Sequence, residues 1–327
     1  MYKPVLRRRD ALAAIAAICA TGAWGQVAEN YPNKPIRMVV GFATGGGTDV
    51  TARLFAQKIG LQMGQTVVVE NRPGASGSIA AQEVARSEPD GYKLLMIASG
   101  TLFHSAVGGK VAYNIDRDFT PISMVTIGTL ILMVGPSLAA RTVPELIAYG
   151  RANPGKLTFA TDGIGATGHL ASEMFNLMAS IKAVHVPFKG SGEATVAIAS
   201  GQVDMGFPSL ASAQPLLQSG RGRALAVSTL QRTPLMPNVP TLDESGLKGY
   251  ELAAWFALVG PAGMPRPIVD KINMALAAVT NQSDVRESLA RQGLDANLMT
   301  PEQLSSYFRQ QSATVSKVAR EAQIKVD

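Results

Sequence analysis

Short apolar runs rich in β-branched residues alternate along this chain with helical periodicities, and Gly- or Pro-rich turns separate them. Residues 36–40 read as a strand that ends in the turn Gly41-Phe-Ala-Thr-Gly-Gly-Gly-Thr-Asp49. A helical pattern follows over 50–63, with Leu54, Phe55, Ile59 and Leu61 on its apolar positions. A second strand is expected at 66–70, a helix at 79–86 and a third strand at 94–98. Strand, loop and helix repeated in this order predict a parallel, doubly wound sheet.

The same plan recurs further on. Residues 119–140 carry no charge, but Pro121, Pro136 and several Ser, Thr and Gly interrupt them, so buried strand is expected there rather than a membrane helix. Helix is expected at 143–151, and strand at 157–161 ending in Gly163-Ile-Gly165-Ala-Thr-Gly168. Then come helix 169–178, strand 183–186, helix 194–200, strand 203–207, helix 211–218 and strand 223–228. Pro234, Pro237 and Pro240 mark a long surface connection. The tail predicts strand at 255–259 and helices at 268–281, 285–292 and 301–322. The expected architecture is α/β with two doubly wound lobes and a cleft, the chain crossing near 125 and returning near 225. Lobe one then holds 26–124 and 228–327, and lobe two holds 125–227.

Composition narrows the class. The 327 residues are 46% hydrophobic and 17% charged, which suits a globular protein and excludes a disordered one. Residues 1–25 read as an export signal: Lys3, Arg7, Arg8 and Arg9, then an apolar run to Ala20, then small residues before Gln26. Arg8-Arg9 has twin-arginine character, so both Sec and Tat export stay open. Removing this segment takes four of the 30 Lys+Arg and one of the 24 Asp+Glu, so 26 face 23 and the net charge drops from +6 to +3. No basic stripe remains, and nucleic acid is not an expected partner. The single cysteine, Cys19, leaves with the segment, which suits a periplasmic protein without disulfides.

Two Gly-rich turns carry the candidate chemistry. Glycines between a strand and a helix let backbone N–H groups face an anion, helped by the positive end of the helix. In 41–49 no Gly-Lys-Ser/Thr ending follows, so it is no nucleotide P-loop, and Asp49 is placed to cap free N–H groups. Gly163-x-Gly165-x-x-Gly168 has the form of a dinucleotide turn, yet 186–190 supplies no acid for a ribose. A carboxylate at that helix start, with the Thr167 hydroxyl, fits better. His169 and Glu173 have the spacing of a metal pair, but a third ligand is missing. No G-x-S-x-G elbow is present. No metal, no cofactor and no catalytic residue is therefore expected. Lys189 could neutralise an anion or stand solvated.

Several fragments in order resemble the tripartite tricarboxylate transporter receptors, the Bug family of periplasmic solute-binding proteins. They include Tyr31-Pro-x-Lys-Pro-Ile-Arg37, Gly45-Gly-Gly-Thr-Asp49 with Arg53, and Val69-Glu-Asn-Arg-Pro-Gly74. Pro89-Asp-Gly-Tyr92, Asp118-Phe-Thr-Pro-Ile122, Gly163-x-Gly-x-x-x-His169 and His185-Val-Pro-Phe-Lys-Gly190 follow. Gly201-Gln-Val-Asp204, Arg223-Ala-Leu-Ala-Val-Ser228 and Pro261-Ala-Gly-Met-Pro265 complete the match over essentially the whole chain after the signal.

The resemblance implies a type II-like periplasmic binding fold whose lobes close on a small carboxylate. It also implies presentation of the closed form to the membrane components of a tripartite tricarboxylate-type transporter, by a monomer. Carried over to this chain, the site comprises Thr44, Gly45, Gly46, Gly47, Thr48 and Asp49 on lobe one, with Ser99 and Thr101 as a hydroxyl-rich loop. On lobe two it comprises Gly163, Gly165, Ala166, Thr167 and His169, with Lys189, Gly190, Asp204 and Phe207 on the rim. Pro208 stands where many members have Asp, which disfavours an amino acid and points to an aromatic or simple carboxylate. Two other classes stay open: a receptor feeding a sensor kinase, and a periplasmic hydrolase built on Ser99, His104 and His169.

Overall fold

In the computed structural model the described residues are 30–161, 163–188 and 190–324. The expected export signal at 1–25, with Cys19, lies outside them, and so does Lys189. The chain runs β1 (Ile36–Val40), α1 (Gly47–Met63), β2 (Val67–Asn71), α2 (Ser78–Ala85), β3 (Lys93–Ala98), α3 (Ser99–Ala106), α4 (Ile115–Asp118), β4 (Phe119–Gly128) and β5 (Ile131–Val134). It continues with α5 (Val143–Ala152), β6 (Thr158–Thr161), α6 (Thr167–Ala179), β7 (Val184–Pro187), α7 (Ser191–Ala199), β8 (Met205–Gly206), α8 (Leu210–Gln218) and β9 (Arg223–Val227). The tail is β10 (Ala254–Pro261), α9 (Arg266–Thr280), α10 (Ser283–Arg291), β11 (Leu294–Ala296) and α11 (Pro301–Glu321).

These elements form two sheets, one per lobe. The first has the order β11-β4-β10-β3-β1-β2, and the second β7-β6-β8-β5-β9. In the first, β1 pairs in parallel with β2 and β3, while β10 is antiparallel to β3 and β4. In the second, β6 pairs in parallel with β7 and β8, while β5 is antiparallel to β8 and β9. Parallel strands flanked by helices on both faces need apolar residues on both faces. Accordingly Met38, Val39 and Val40 of β1 are all buried.

Each expected strand and helix is present, its ends moved by less than a helical turn, with one instructive exception. The uncharged stretch 119–140 splits into β4 of the first sheet and β5 of the second. The chain thus changes sheets between Gly128 and Ile131, just beyond the expected 125. It leaves the second sheet after Val227, but does not at once rejoin the first lobe. Tyr250 donates its hydroxyl to the Ala171 carbonyl of α6 at 2.7 Å and stacks on Phe207, so this connection packs on the second lobe. The reason is burial: Leu242, Leu247, Tyr250 and Leu252 are apolar and find their cover there.

Three elements were not anticipated: α3, α4 and β11. The long C-terminal α11 is amphipathic and starts at a capping box, Thr300 with Gln303, with Pro301 in its first turn. It contributes Leu304, Phe308 and Val315 to a core that also holds Leu95 and Phe103 of lobe one and Leu170 and Phe175 of lobe two. A second core packs β1 against α1, α9 and α10, and a third lies beneath α7 and α8. Helices α6 and α7 therefore cover opposite faces of the second sheet.

Candidate functional site

A cavity of about 430 Å³ opens where both sheets present the C-terminal ends of their parallel strands. From lobe one it is lined by Gly47, which starts α1, and by Ala254 and Phe256 of β10. From lobe two it is lined by Thr161, which ends β6, by Thr167 and Gly168, which start α6, and by Ser191, which starts α7. Phe207, Pro208 and Ser209 lead from β8 into α8 on the same wall. None of the described lining residues is ionisable. Leu130, Ile198, Phe207 and Phe256 give the cavity an apolar body between these polar helix starts.

The helix starts themselves are the polar feature. Every α-helix begins with backbone N–H groups that lack an intrahelical partner, and side-chain caps normally satisfy some of them. Thr142 caps α5 and Thr300 caps α11 in that way. The N-cap residues of α1, α6 and α7 are Gly46, Ala166 and Gly190, and none makes a side-chain cap bond. Three uncapped starts thus meet one cavity, each with the partial positive charge of a helix N-terminus.

The two Gly-rich loops are built alike, residue for residue. Gly45 and Gly165 both take left-handed backbone, φ +83° and +76°, which a glycine adopts without steric cost. The N-caps Gly46 and Ala166 share one conformation, φ and ψ of −73° and 163° against −65° and 160°. Gly46 N–H donates to Ala43 at 3.3 Å, and Ala166 N–H donates to Gly163 at 3.4 Å. Val50 N–H donates to Gly46, as Leu170 N–H does to Ala166. Positions 43, 45, 46, 49, 50 and 53 thus recur at 163, 165, 166, 169, 170 and 173.

What fixes each loop differs in chemistry. In lobe one the Gly45 N–H donates to Asp49 Oδ2 at 2.9 Å. Asp49 is 1% exposed and also accepts from Arg53 and from Asn71, each at 2.9 Å. Burial alone would raise its carboxyl, but the Arg53, Gly45 and Asn71 hydrogen bonds outweigh that and hold it below its usual range. In lobe two the Gly165 N–H donates to His169 Nδ1 at 3.0 Å. Burial first, and the neighbouring His185 second, bring the His169 ring down to about 4. It is neutral at physiological pH, with the proton on Nε2, because Nδ1 must accept.

His169 stacks on His185 at 4.1 Å between ring centroids, and His185 stacks on Phe159 at 5.0 Å. Burial lowers His185 as well. Its Nε2 lies 2.6 Å from Thr161 Oγ1, so the imidazole orients a hydroxyl that lines the cavity. Glu173, 3.8 Å from His169 Nε2, is raised by burial against the opposing Asn176 hydrogen bond.

The structure sorts the expected residues. Gly47, Thr167 and Phe207 line the cavity; Thr44–Gly46 and Gly163–Ala166 form the loops leading to it, and Gly190 is the N-cap of α7. Thr48 is buried in the first turn of α1. Asp49 and His169 hold their loops from behind, and Asp49 does not cap the helix start as expected. Ser99 and Thr101 belong to a helix, not a loop. Both are buried, and the Thr101 hydroxyl donates to the Ser76 carbonyl at 2.9 Å, so it braces the neighbouring 74–78 turn. Asp204 is also corrected. It precedes β8 and accepts from the Thr158 N–H and hydroxyl, both at 2.8 Å, at the end of the sheet away from Thr161. Thr161, Ser191, Ser209 and Phe256 were missed. Thr161, as the last residue of a strand before a Gly-rich turn, was the one that sequence position could have flagged.

Comparison with known proteins places this arrangement. The profile of the family described as "Tripartite tricarboxylate transporter family receptor" matches residues 51–324. BugT of Bordetella pertussis is 34% identical over 303 residues, spanning 91% of this chain and 92% of its own. Among solved structures, R. palustris Rpa4515 with adipate superposes with a TM-score of 0.72 at 34% identity, covering 90% of this chain and 99% of that one. MatC from Rhodopseudomonas palustris with bound malate gives 0.69 at 32%, covering 88% and 99%.

Proposed function

We propose, because this chain belongs to the tripartite tricarboxylate transporter receptor family of solute-binding proteins, that it captures a small carboxylate between its lobes for a membrane transporter. The observation that carries this reading is the meeting of three uncapped helix starts, α1, α6 and α7, on one cavity. Unsatisfied N–H groups and helix-end charge bind an oxyanion without a cationic side chain. The apolar body between them suits an aliphatic or aromatic skeleton, in keeping with the adipate and malate held by the two solved relatives.

Mechanistically, the open receptor admits the ligand to one lobe, and closure adds the helix starts of the other. The free energy of these second contacts shifts the open–closed equilibrium, and no bond is made or broken. The Gly loops shape the anion cradle, Asp49 and His169 hold them, and Thr161 supplies a hydroxyl. The basic and apolar segment at 1–25 supports export to the periplasm, where the closed form meets the membrane components of a tripartite tricarboxylate-type transporter. Among the described residues no helix is long and apolar enough to cross a membrane.

Native mass spectrometry of protein purified from the periplasm is expected to show a retained carboxylate. Calorimetry against a panel of carboxylates, with Gly46→Val and Gly165→Val variants, tests the cradle. Each variant should weaken binding at least tenfold, since Val adds a branched side chain where the backbone must face the anion, and at 165 opposes a left-handed φ. Undiminished binding in both variants overturns the cradle.

A further inference from the structure

The cavity has a second polar end that the Gly-rich loops do not supply. Helix α6 packs into the core shared with α11, whereas α7 and α8 cover the other face of the sheet over a core of their own. The cavity therefore runs across the sheet's edge, past Thr161 and Phe207, from the α6 start to the starts of α7 and α8. At that far end stand Ser191, in the first turn of α7, and Ser209, the N-cap of α8. Both line the cavity. Ser212 joins them from behind: its Oγ lies 3.1 Å from Ser191 Oγ and 2.9 Å from Ser209 Oγ. Ser209 Oγ also accepts the Ser212 N–H at 3.3 Å.

Counting protons shows what such a cluster does. Three hydroxyls carry one proton each, and the two contacts between them use two. One proton is left over. If the chain of donation runs Ser209 to Ser212 to Ser191, the Ser191 proton is free to enter the cavity. If it runs the other way, the Ser209 proton is free, and its oxygen accepts both groups of Ser212. Either direction presents one donor to the cavity, and the switch between them needs only hydroxyl rotation. A third arrangement, in which both ends donate to Ser212, leaves the spare proton outside the cavity lining. An acceptor on the ligand would draw the cluster out of that arrangement.

We propose that Ser191, Ser212 and Ser209 form a hydroxyl relay that recognises an oxygen acceptor, a second carboxylate in particular, on the end of the ligand opposite the α6 loop. This rests on the carboxylate-capture reading and makes the preferred ligand bifunctional. Ser191 and Ser209 touch the ligand, and Ser212 is a positioning residue that acts through them. The uncapped start of α7 at Gly190 adds N–H groups of the same polarity beside Ser191.

The test compares adipate with hexanoate, which share a six-carbon body and one carboxylate and differ at the far end alone. Wild-type protein should bind adipate about tenfold or more tightly than hexanoate, the scale of a hydrogen bond to a charged acceptor. Ser191→Ala should cut that ratio severalfold. Ser212→Ala, which removes no lining group, should cut it as well, and Ser212→Thr, which keeps the hydroxyl, should restore it. The ratio is insensitive to a general loosening of the fold, because both acids report on the same body. An adipate-to-hexanoate ratio unmoved by Ser191→Ala and Ser212→Ala overturns the relay alone. Failure of wild-type protein to bind either acid also overturns the relay, whereas failure across the whole carboxylate panel overturns the carboxylate reading with it.

Discussion

The two Gly-rich loops adopt one backbone and are held by opposite chemistries. Lobe one uses a buried carboxylate, Asp49, neutralised by Arg53 one turn on. Lobe two puts His169 at the matching place and Glu173 where Arg53 would stand. Each anchor does the same job, accepting the N–H of the left-handed glycine four residues earlier. The difference lies in charge. An anion in the first turn of α1 partly satisfies that helix's positive end, whereas α6 has no acidic residue in its first turn. Of the two Gly-rich loops, the α6 start thus keeps the stronger field for a bound anion, and the α1 loop is the more firmly tied.

The most disruptive way to break the comparison is to move one anchor into the other lobe. His169→Asp places a carboxylate against Glu173 with no arginine to balance it, in a site that is nearly fully buried. Burying an unpaired charge of this kind should cost about 3 kcal/mol of stability. Adding Glu173→Arg rebuilds the lobe-one pair, and chemical denaturation should then show at least half the loss recovered. No recovery in the double variant would mean that the two loops are alike in backbone only.

Most of the fold, but only half of this site, was legible in the sequence. Strand, Gly-rich loop and helix are local patterns, so β1–α1 and β6–α6 could be read directly. The equivalence of Asp49 and His169 could not, because a carboxylate and an imidazole share no pattern and become alike only by accepting the same N–H. Helix α3 was hidden because Ser-Gly-Thr is a weak helix start with no cap, and tertiary packing of Leu102 and Phe103 overrides that weakness. Asp204 was misplaced because β8 is two residues long, too short to show which end faces the cleft. Ser209 and Ser212 share the start of α8 as an N-cap pair, but Ser191 joins them only when α7 packs on α8, and no local spacing announces that.

Acid should separate the loops next. His169 is held at about 4, below the ordinary imidazole value near 6.5, because the fold favours the neutral ring. The unfolded chain therefore binds more protons between these values. The contribution of His169 is complete above about 6.5 and is lost as pH falls towards and below 4, about 3 kcal/mol in all. His185, lowered in the same direction, adds to that slope. Asp49, held below its ordinary value, keeps its contribution until pH falls under about 3.8. Amide exchange should show Gly165 losing protection near pH 5 while Gly45 stays protected. His169→Gln, whose amide oxygen can still accept the N–H, should flatten the pH dependence of stability between 6.5 and 4. A slope left unchanged by that variant would assign the acid sensitivity elsewhere.

The smallest effects measure how the two lobes share the ligand's charge. Both Ala166 and Gly46 sit in the extended conformation that an N-cap side chain needs. Ala166→Asp should cap α6 and raise stability by about 0.5–1 kcal/mol, yet weaken carboxylate binding about tenfold, because the new oxygens occupy N–H groups the ligand uses and repel its charge. Gly46→Asp on α1 should act in the same direction but less, for two reasons. Its Cβ would crowd the Ala43 carbonyl at 3.3 Å, which erodes the gain in stability. Asp49 already tempers the field at that end, so less anion affinity remains to be lost. The ratio of the two affinity losses then reads how much of the charge each helix start bears. A ratio near one would place the anion midway between the loops, whereas a ratio of several-fold in favour of Ala166 ties the strength of capture to the neutral imidazole behind Gly165.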